Sequence, residues 1–263
     1  MPSCGSQEVT TIAKEFGAVA ILDALGASTY SDRQIGHFLD SRDRVLSQLK
    51  EWAEGGHGSV KPTELKAFTF NDTIVLVLRC GAAAANLERA TALAAYLRQF
   101  LVNSMVNGML FRGSAALGSF YIDGASNTVM GEAVTDAAQW YERSDWVGVH
   151  FTPRSFLTLG HMMRAEGDDK RWAFLPYSVP LRDGGLLPTL AVNWPKIFLV
   201  PKLRPWGRTN VEPKQKLLEL LSAHSVPLGT ERKYFNTIEF FDRSLAVEDE
   251  IRRSRKRRVS KKR

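Results

Sequence analysis

The stretch LKAFTFNDTIVLVLR, residues 65–79, constrains the fold more than any other. Two apolar runs meet at Asn71 and Asp72 with nothing but a turn between them, so they pair as an antiparallel hairpin. Asn and Asp are ordinary turn residues. The tightest two-residue hairpins favour a glycine, however, and none lies between Leu65 and Arg79. A carboxylate at the tip of so apolar a hairpin therefore asks for a reason beyond turn chemistry.

The hairpin sits among alternating strands and helices. FGAVAILDALGAS is a short apolar run closed by glycine, a buried strand ending near Asp23. SDRQIGHFLDSRDRVLSQLKEWAEGG follows, with Ile35, Phe38, Leu39, Val45, Leu46, Leu49 and Trp52 at helical spacing. Ser31 or Asp32 caps that helix and Gly55–Gly56 stop it. After the hairpin come a long Ala/Leu-rich helix ended by Gly108 and MLFRGSAALGSFYIDG, which reads as two strands broken at Gly118. GEAVTDAAQWYERS predicts a helix, WVGVHFTP a strand, RSFLTLGHMMRAEG a helix, and FLPYSVPL and LPTLAVNW two more strands. The order βαββαβ followed by αβ and extra strands predicts an α+β sandwich with a ferredoxin-like, split βαβ core. From Pro195 onward the composition turns rich in Pro and Lys, which places a boundary there: residues 1–195 as the main domain, and 196–263 as a partly helical extension.

Composition removes several function classes. The net charge of +7 is misleading, because the tail IRRSRKRRVSKKR holds nine Lys or Arg and no acid, leaving −2 for residues 1–250. The body is no basic platform, and the tail, residues 251–263, reads as a disordered segment that either stays solvated or touches RNA, DNA or an anionic membrane. The longest apolar runs, AVAIL and TIVLVL, are too short to cross a bilayer, and the first residues lack a signal-peptide pattern. Cys4 and Cys80 fit a reducing compartment and form no metal cluster. His37, His57, His150, His161 and His224 are scattered without ligand spacing. A cytoplasmic protein with no stable nucleic-acid or membrane partner is expected.

In a βαββαβ sheet the first strand and the second arm of the hairpin are neighbours, about 4.8 Å apart. Asp23 ends the first strand and Asp72 tips the hairpin, so two carboxylates converge at one end of the sheet if those ends coincide. Unneutralised they would repel, raising one pKa; a hard divalent cation such as Mg²⁺ or Mn²⁺ resolves this with oxygen ligands. The loop ALGASTYSD after Asp23, with Leu25 and Gly26 at its start, offers backbone amides to phosphate. Carboxylates for metal beside amides for phosphate describe a nucleoside triphosphate site.

This pattern resembles the class III nucleotidyl cyclase catalytic domain over residues 17–194. AVAILDALGAS is similar to that family's first metal strand, and FTFNDTIVLVL to its second metal hairpin, with Asn71 in place of the usual glycine. LFRGSAALG resembles the strand whose Arg, here Arg112, meets the triphosphate; NTVMGEAVTDAAQWYE resembles the glycine-to-helix segment, and YSVPLRDGGLLPTLAVNW the closing hairpin, with Arg182 where lysine is usual. The resemblance implies a homodimer with composite sites and two divalent ions (Mn²⁺ or Mg²⁺) on Asp23 and Asp72, with the Ala24 carbonyl as an extra ligand. It also implies attack of a 3′-hydroxyl on the α-phosphorus of the same nucleotide.

The departures carry information. The positions that read a purine base in relatives are here Phe68 and Thr128, and the ribose and transition-state positions are Thr135 and Gln139. Phe68 either fills the space of a purine's second ring or is simple hairpin core; Arg112 either meets phosphate or solvates a strand edge. The Thr128 hydroxyl both donates and accepts, so it suits uracil and cytosine alike. ILDALGA, the non-purine base positions and the C-terminal appendage together resemble the pyrimidine cyclases of bacterial Pycsar antiphage systems. That likeness implies UTP, with CTP as alternative, as substrate and a separate cyclic-nucleotide-binding effector as partner. Two other classes stay open: a catalytically inactive nucleotide sensor of the same fold, and a nucleic-acid-binding sheet presenting Phe68 and Phe70.

Overall fold

β1 (Lys14–Ala24) runs through the middle of a mixed sheet and fixes everything around it. The structure is a computed structural model that describes residues 14–54, 64–80, 86–124, 126–166, 172–224, 226 and 228–260. β1 is followed by α1 (Asp32–Glu54), the hairpin β2 (Leu65–Phe70) and β3 (Thr73–Cys80), α2 (Asn86–Val106) and β4 (Phe111–Asp123). Then come β5 (Thr128–Met130), α3 (Glu132–Trp140), β6 (Gly148–Phe151), α4 (Pro153–Glu166), and the hairpin β7 (Phe174–Pro180) and β8 (Leu186–Val192). A short α5 (Lys196–Leu199), α6 (Pro213–Ser222) and α7 (Glu231–Ser260) complete the described chain.

The sheet order is β2-β3-β1-β4-β6-β8-β7, with β5 beside the far end of β4. β1 is antiparallel to both β3 and β4, so the first four strands and two helices form the expected ferredoxin-like βαββαβ unit. Strand alternation sorts β1 onto two faces. Ala18, Ala20 and Leu22 join Val45 and Leu49 of α1 and Leu93, Leu97 and Phe100 of α2 in the larger core. Val19 and Ile21 face the other way, with Phe68, Val77, Ala116 and Phe120, under Ala133 and Ala137 of α3. Asp23 has the parity of this second, thinly covered face. Gly131 lets α3 come so close: its φ is 134°, and a Cβ there would lie 2.7 Å from the Phe120 Cα.

α7 docks on the sheet by burying Phe240 and Phe241 completely. The Phe240 ring meets Trp146 edge-on at 4.6 Å, and Phe241 packs against Trp194 and Phe198. Polar links tie the same helix down: Thr237 Oγ1 accepts from the Val147 amide (2.9 Å), Asn236 donates to the Asp145 carbonyl (2.6 Å), and Ser244 donates to Asn193 (2.7 Å).

Three details differ from the sequence reading. β4 is one continuous strand, because Gly118 sits opposite Gly17 and stays in register. β5 is a strand that the composition of NTVM does not announce. Residues 251–260 are helical where basic composition pointed to disorder; once Phe240 and Phe241 have fixed the helix, adding turns costs little. Residues 261–263 lie outside the described residues.

Candidate active site

Asp23 and Asp72 lie at the same end of the sheet. Asp23 pairs in register with Thr73 on one side and Arg112 on the other. The Ala24 amide donates to the Asp72 carbonyl at 3.2 Å, pinning the hairpin tip beside the end of β1. Asn71 explains how the turn manages without glycine. Its φ is 51°, a left-handed conformation that asparagine tolerates, and its carbonyl accepts from Arg42 Nη1 at 3.3 Å.

Arg112 does not reach outward but sideways. Its Nε and Nη2 both donate to Asp23 Oδ2, at 3.0 and 2.8 Å. The pair is well covered, with side-chain exposures of 8% and 14%. Arg112 Nη1 is buried without a hydrogen-bond partner, and the Asp23 Oδ1 atom is left out of the pair. Burial pushes the Asp23 carboxyl up, Arg112 opposes this, and the charges of Asp72 and Glu142 push the same way as burial.

Residues that the sequence did not single out complete this end. Tyr141, just past α3, donates to Glu142 at 2.8 Å, and burial together with that carboxylate pushes its phenol up to about 12. Lys233, from the first turn of α7, lies in the same field: burial lowers its pKa, as do Arg112 and Arg182, while Asp145 and Asp23 oppose. No motif marks Lys233, since it sits in a segment whose sequence shows only helical packing.

The remaining sequence candidates divide by location. Leu25 donates its amide to the Leu110 carbonyl (2.8 Å), and Gly26 turns the chain with φ 84°. Arg182 is exposed on the β7–β8 turn and donates its amide to the Arg143 carbonyl (2.9 Å), at the same end as Asp23. The Arg143 guanidinium lies over the Trp140 ring. Thr135 and Gln139 are exposed on α3. Phe68 is buried in the cluster under α3, on the face that bears Asp23. Thr128 is remote: it pairs with Asp123, at the opposite end of β4 from Arg112, roughly 35 Å from Asp23 at strand rise. Its hydroxyl is engaged with Ser126.

Two hollows flank the carboxylates. One, of about 460 Å³, is largely apolar and lined by Tyr30, Ile35, Phe38, Leu39, Asn71 and Asp72. The other, of about 120 Å³, lies between the turn after β1 and the start of α7. Among the described residues no three His, Cys, Asp or Glu side chains cluster as a metal site. Two carboxylates with an open Oδ1 still fit a hard divalent ion that takes its other ligands from substrate oxygens and water.

No family model and no curated protein matches the sequence. Among solved structures, the chain is similar to the adenylyl cyclase CyaB from P. aeruginosa, with 11% identity and a TM-score of 0.43 over 69% of this chain and 95% of that one. It is also similar to an adenylate/guanylate cyclase/hydrolase from Silicibacter pomeroyi, with 14% identity and a TM-score of 0.39 over 69% and 96%. Both scores lie below 0.5, so the functional reading rests on the chain's own residues. No helix among the described residues is long and apolar enough to cross a membrane.

Proposed function

We propose that the chain is a metal-dependent nucleotidyl cyclase of the class III type. Within that class, we assign it as a pyrimidine cyclase that converts UTP to 3′,5′-cyclic UMP and pyrophosphate, with CTP as the alternative substrate. The observation that carries the class is the convergence of Asp23 and Asp72 at one sheet end, fixed by the Ala24–Asp72 backbone bond. The pyrimidine assignment, the role as an antiphage messenger and the effector partner rest on the sequence resemblance, supported by the bulk of Phe68 and the neutrality of Thr128.

Asp23 and Asp72 would hold Mn²⁺ or Mg²⁺, with the Ala24 carbonyl alongside. A divalent ion there favours the 3′-alkoxide and neutralises the leaving phosphates. Arg112 holds Asp23 through Oδ2 and leaves Oδ1 outside the pair, while its charge competes with the ion for the carboxylate. Its Nη1, buried and unpartnered, would donate to a phosphate oxygen only if substrate binding uncovers it. In the reaction the 3′-oxygen to α-phosphorus bond forms and the bond from the α-phosphorus to the bridging oxygen breaks. Pyrophosphate leaves with the electron pair, and the hydroxyl proton goes to solvent. Thr128 lies too far from Asp23 to read a base in the same chain, which supports a homodimer whose sites join the carboxylates of one copy to Thr128 of another, while Phe68 is hairpin core.

The test is incubation of the full chain and Mn²⁺ with each of the four nucleoside triphosphates, products read by mass spectrometry. Cyclic UMP is expected, and Asp23→Ala and Asp72→Ala each remove at least 99% of turnover without changing the oligomer. Full activity in either variant refutes the site.

One observation favours a second reading. Arg112 is committed to Asp23, and Thr135 and Gln139 place no charge on α3, as an inactive nucleotide sensor would have it. Tight binding of triphosphates without release of pyrophosphate is the outcome that selects it.

A further inference from the structure

The hollow of about 120 Å³ beside the turn after β1 is walled by Gly26 and Thr29 on one side and by His224, Thr230, Lys233 and Tyr234 on the other. Two separate parts of the chain thus face each other across a space worth about four waters, at about 30 Å³ each. Three observations give it a chemical character. Lys233 is half-buried, and its ammonium has no acidic hydrogen-bonding or ion-pair partner among the described residues. Arg112 and Arg182 repel it. The nearest acids are already shared: Asp23 is held by Arg112, and Asp145 lies 3.6 Å from the Arg232 guanidinium. His224 Nε2, on the same wall, is buried without a hydrogen-bond partner. The lining of the hollow holds one cation, Lys233, and no acid, so an anion entering the void meets a half-buried ammonium with charge to spare.

We propose that this hollow takes the terminal phosphoryl group of a polyphosphate, gripped by Lys233 of α7 against the Gly26–Thr29 turn, so that the C-terminal extension is part of the catalytic unit. The proposal rests on the cyclase reading for the identity of the polyphosphate as a nucleoside triphosphate, but the anion site itself does not. Lys233 is then a cation for the leaving phosphates, delivered by an element outside the sheet. Inorganic phosphate chains and nucleotides share this chemistry, and the experiment separates them.

Calorimetry of the full chain with inorganic tripolyphosphate, without divalent metal, reads the hollow alone. Wild type is expected to bind it, Lys233→Met to weaken binding at least tenfold, and Lys233→Arg to restore most of the loss. UMP, which has no terminal phosphates, binds wild type and Lys233→Met equally. In turnover, Lys233→Met raises KM for UTP at least tenfold, with a smaller change in kcat. Equal tripolyphosphate affinity in wild type and Lys233→Met overturns the proposal. If tripolyphosphate binding depends on Lys233 while no triphosphate is cyclised, the anion site stands and the cyclase reading falls. Thermal melting of each variant controls for folding, and Lys233→Gln replaces the Met variant should that one melt early.

Discussion

Replacing Arg112 by Met separates the structural from the metal-binding demands on Asp23. The guanidinium gives two hydrogen bonds to one carboxylate oxygen, and both side chains are largely removed from water. Removing one partner of such a pair leaves a buried, uncompensated charge, which costs about 3–5 kcal/mol. Asp23 keeps 14% of its side-chain exposure, so the lower end, about 3 kcal/mol, applies. At roughly 2–4 °C per kcal/mol for a chain of this size, the melting temperature falls by roughly 6–12 °C. Mn²⁺ then supplies the charge that Arg112 withheld. At a hundred times its Kd an ion stabilises by about 2.7 kcal/mol, and its Kd tightens once the competing guanidinium is gone. The Mn²⁺-induced rise in melting temperature should therefore be larger in Arg112→Met than in wild type, and vanish in Arg112→Met combined with Asp72→Ala. Differential scanning calorimetry of the three proteins with and without Mn²⁺ measures these temperatures. An Arg112→Met protein that melts within 2 °C of wild type, or gains no more from Mn²⁺ than wild type does, refutes the reasoning.

Two further outcomes follow from the core. His150 is fully buried, and burial lowers its pKa from 6.5 to about 4. Between those values the unfolded chain binds a proton that the native state refuses, so stability falls as pH drops from 6.5 to 4, by about 3 kcal/mol in all. His150→Gln should flatten this slope in urea melts at pH 7 and pH 4.5; an unchanged slope assigns the acid sensitivity elsewhere. Phe240→Ala removes a fully buried ring that touches Trp146, Tyr177 and Trp194. It should cost about 3–5 kcal/mol, read by the urea midpoint, whereas a loss under 1 kcal/mol means that α7 is dispensable to the core.

The sheet core was legible because its signals are local and redundant. A glycine-closed apolar run, a capped helix at 3.6-residue spacing and an antiparallel hairpin leave a βαββαβ order little freedom, and the adjacency of β1 and β3 follows from that order. The continuity of β4 was not legible, since Gly118 reads as a breaker in sequence and only the matching Gly17 across the ladder keeps it in the strand. At the site, Asp23 and Asp72 are each ordinary turn residues, and they stood out only because the strand order brings both to one end of the sheet. Tyr141, Glu142 and Lys233 did not, because their roles come from tertiary placement: Lys233 is 210 residues from Asp23 in the numbering and carries no motif of its own. The partner chosen by Arg112 was equally hidden. Strand register, not residue type, sets it opposite Asp23.

On the proposed cyclase reading, charge and distance together put substrate choice outside the single chain. The groups proposed to hold a phosphate chain lie at one end of the sheet: Arg112, Lys233, the turn at Gly26, and Asp23 and Asp72 through a divalent ion. The base-reading candidates do not. Thr128 is at the other end of β4, roughly 35 Å away by strand rise, and Phe68 is covered within its own chain. On the cyclase reading, one copy alone grips any triphosphate with the same strength whatever its base, because the contacts end at the phosphates. Selection between uracil and a purine then requires a second copy to bring Thr128 over the first copy's carboxylates. Affinity would belong to the monomer and specificity to the pair, so dilution below the dimer's dissociation constant should abolish base preference and turnover while sparing Lys233-dependent tripolyphosphate binding.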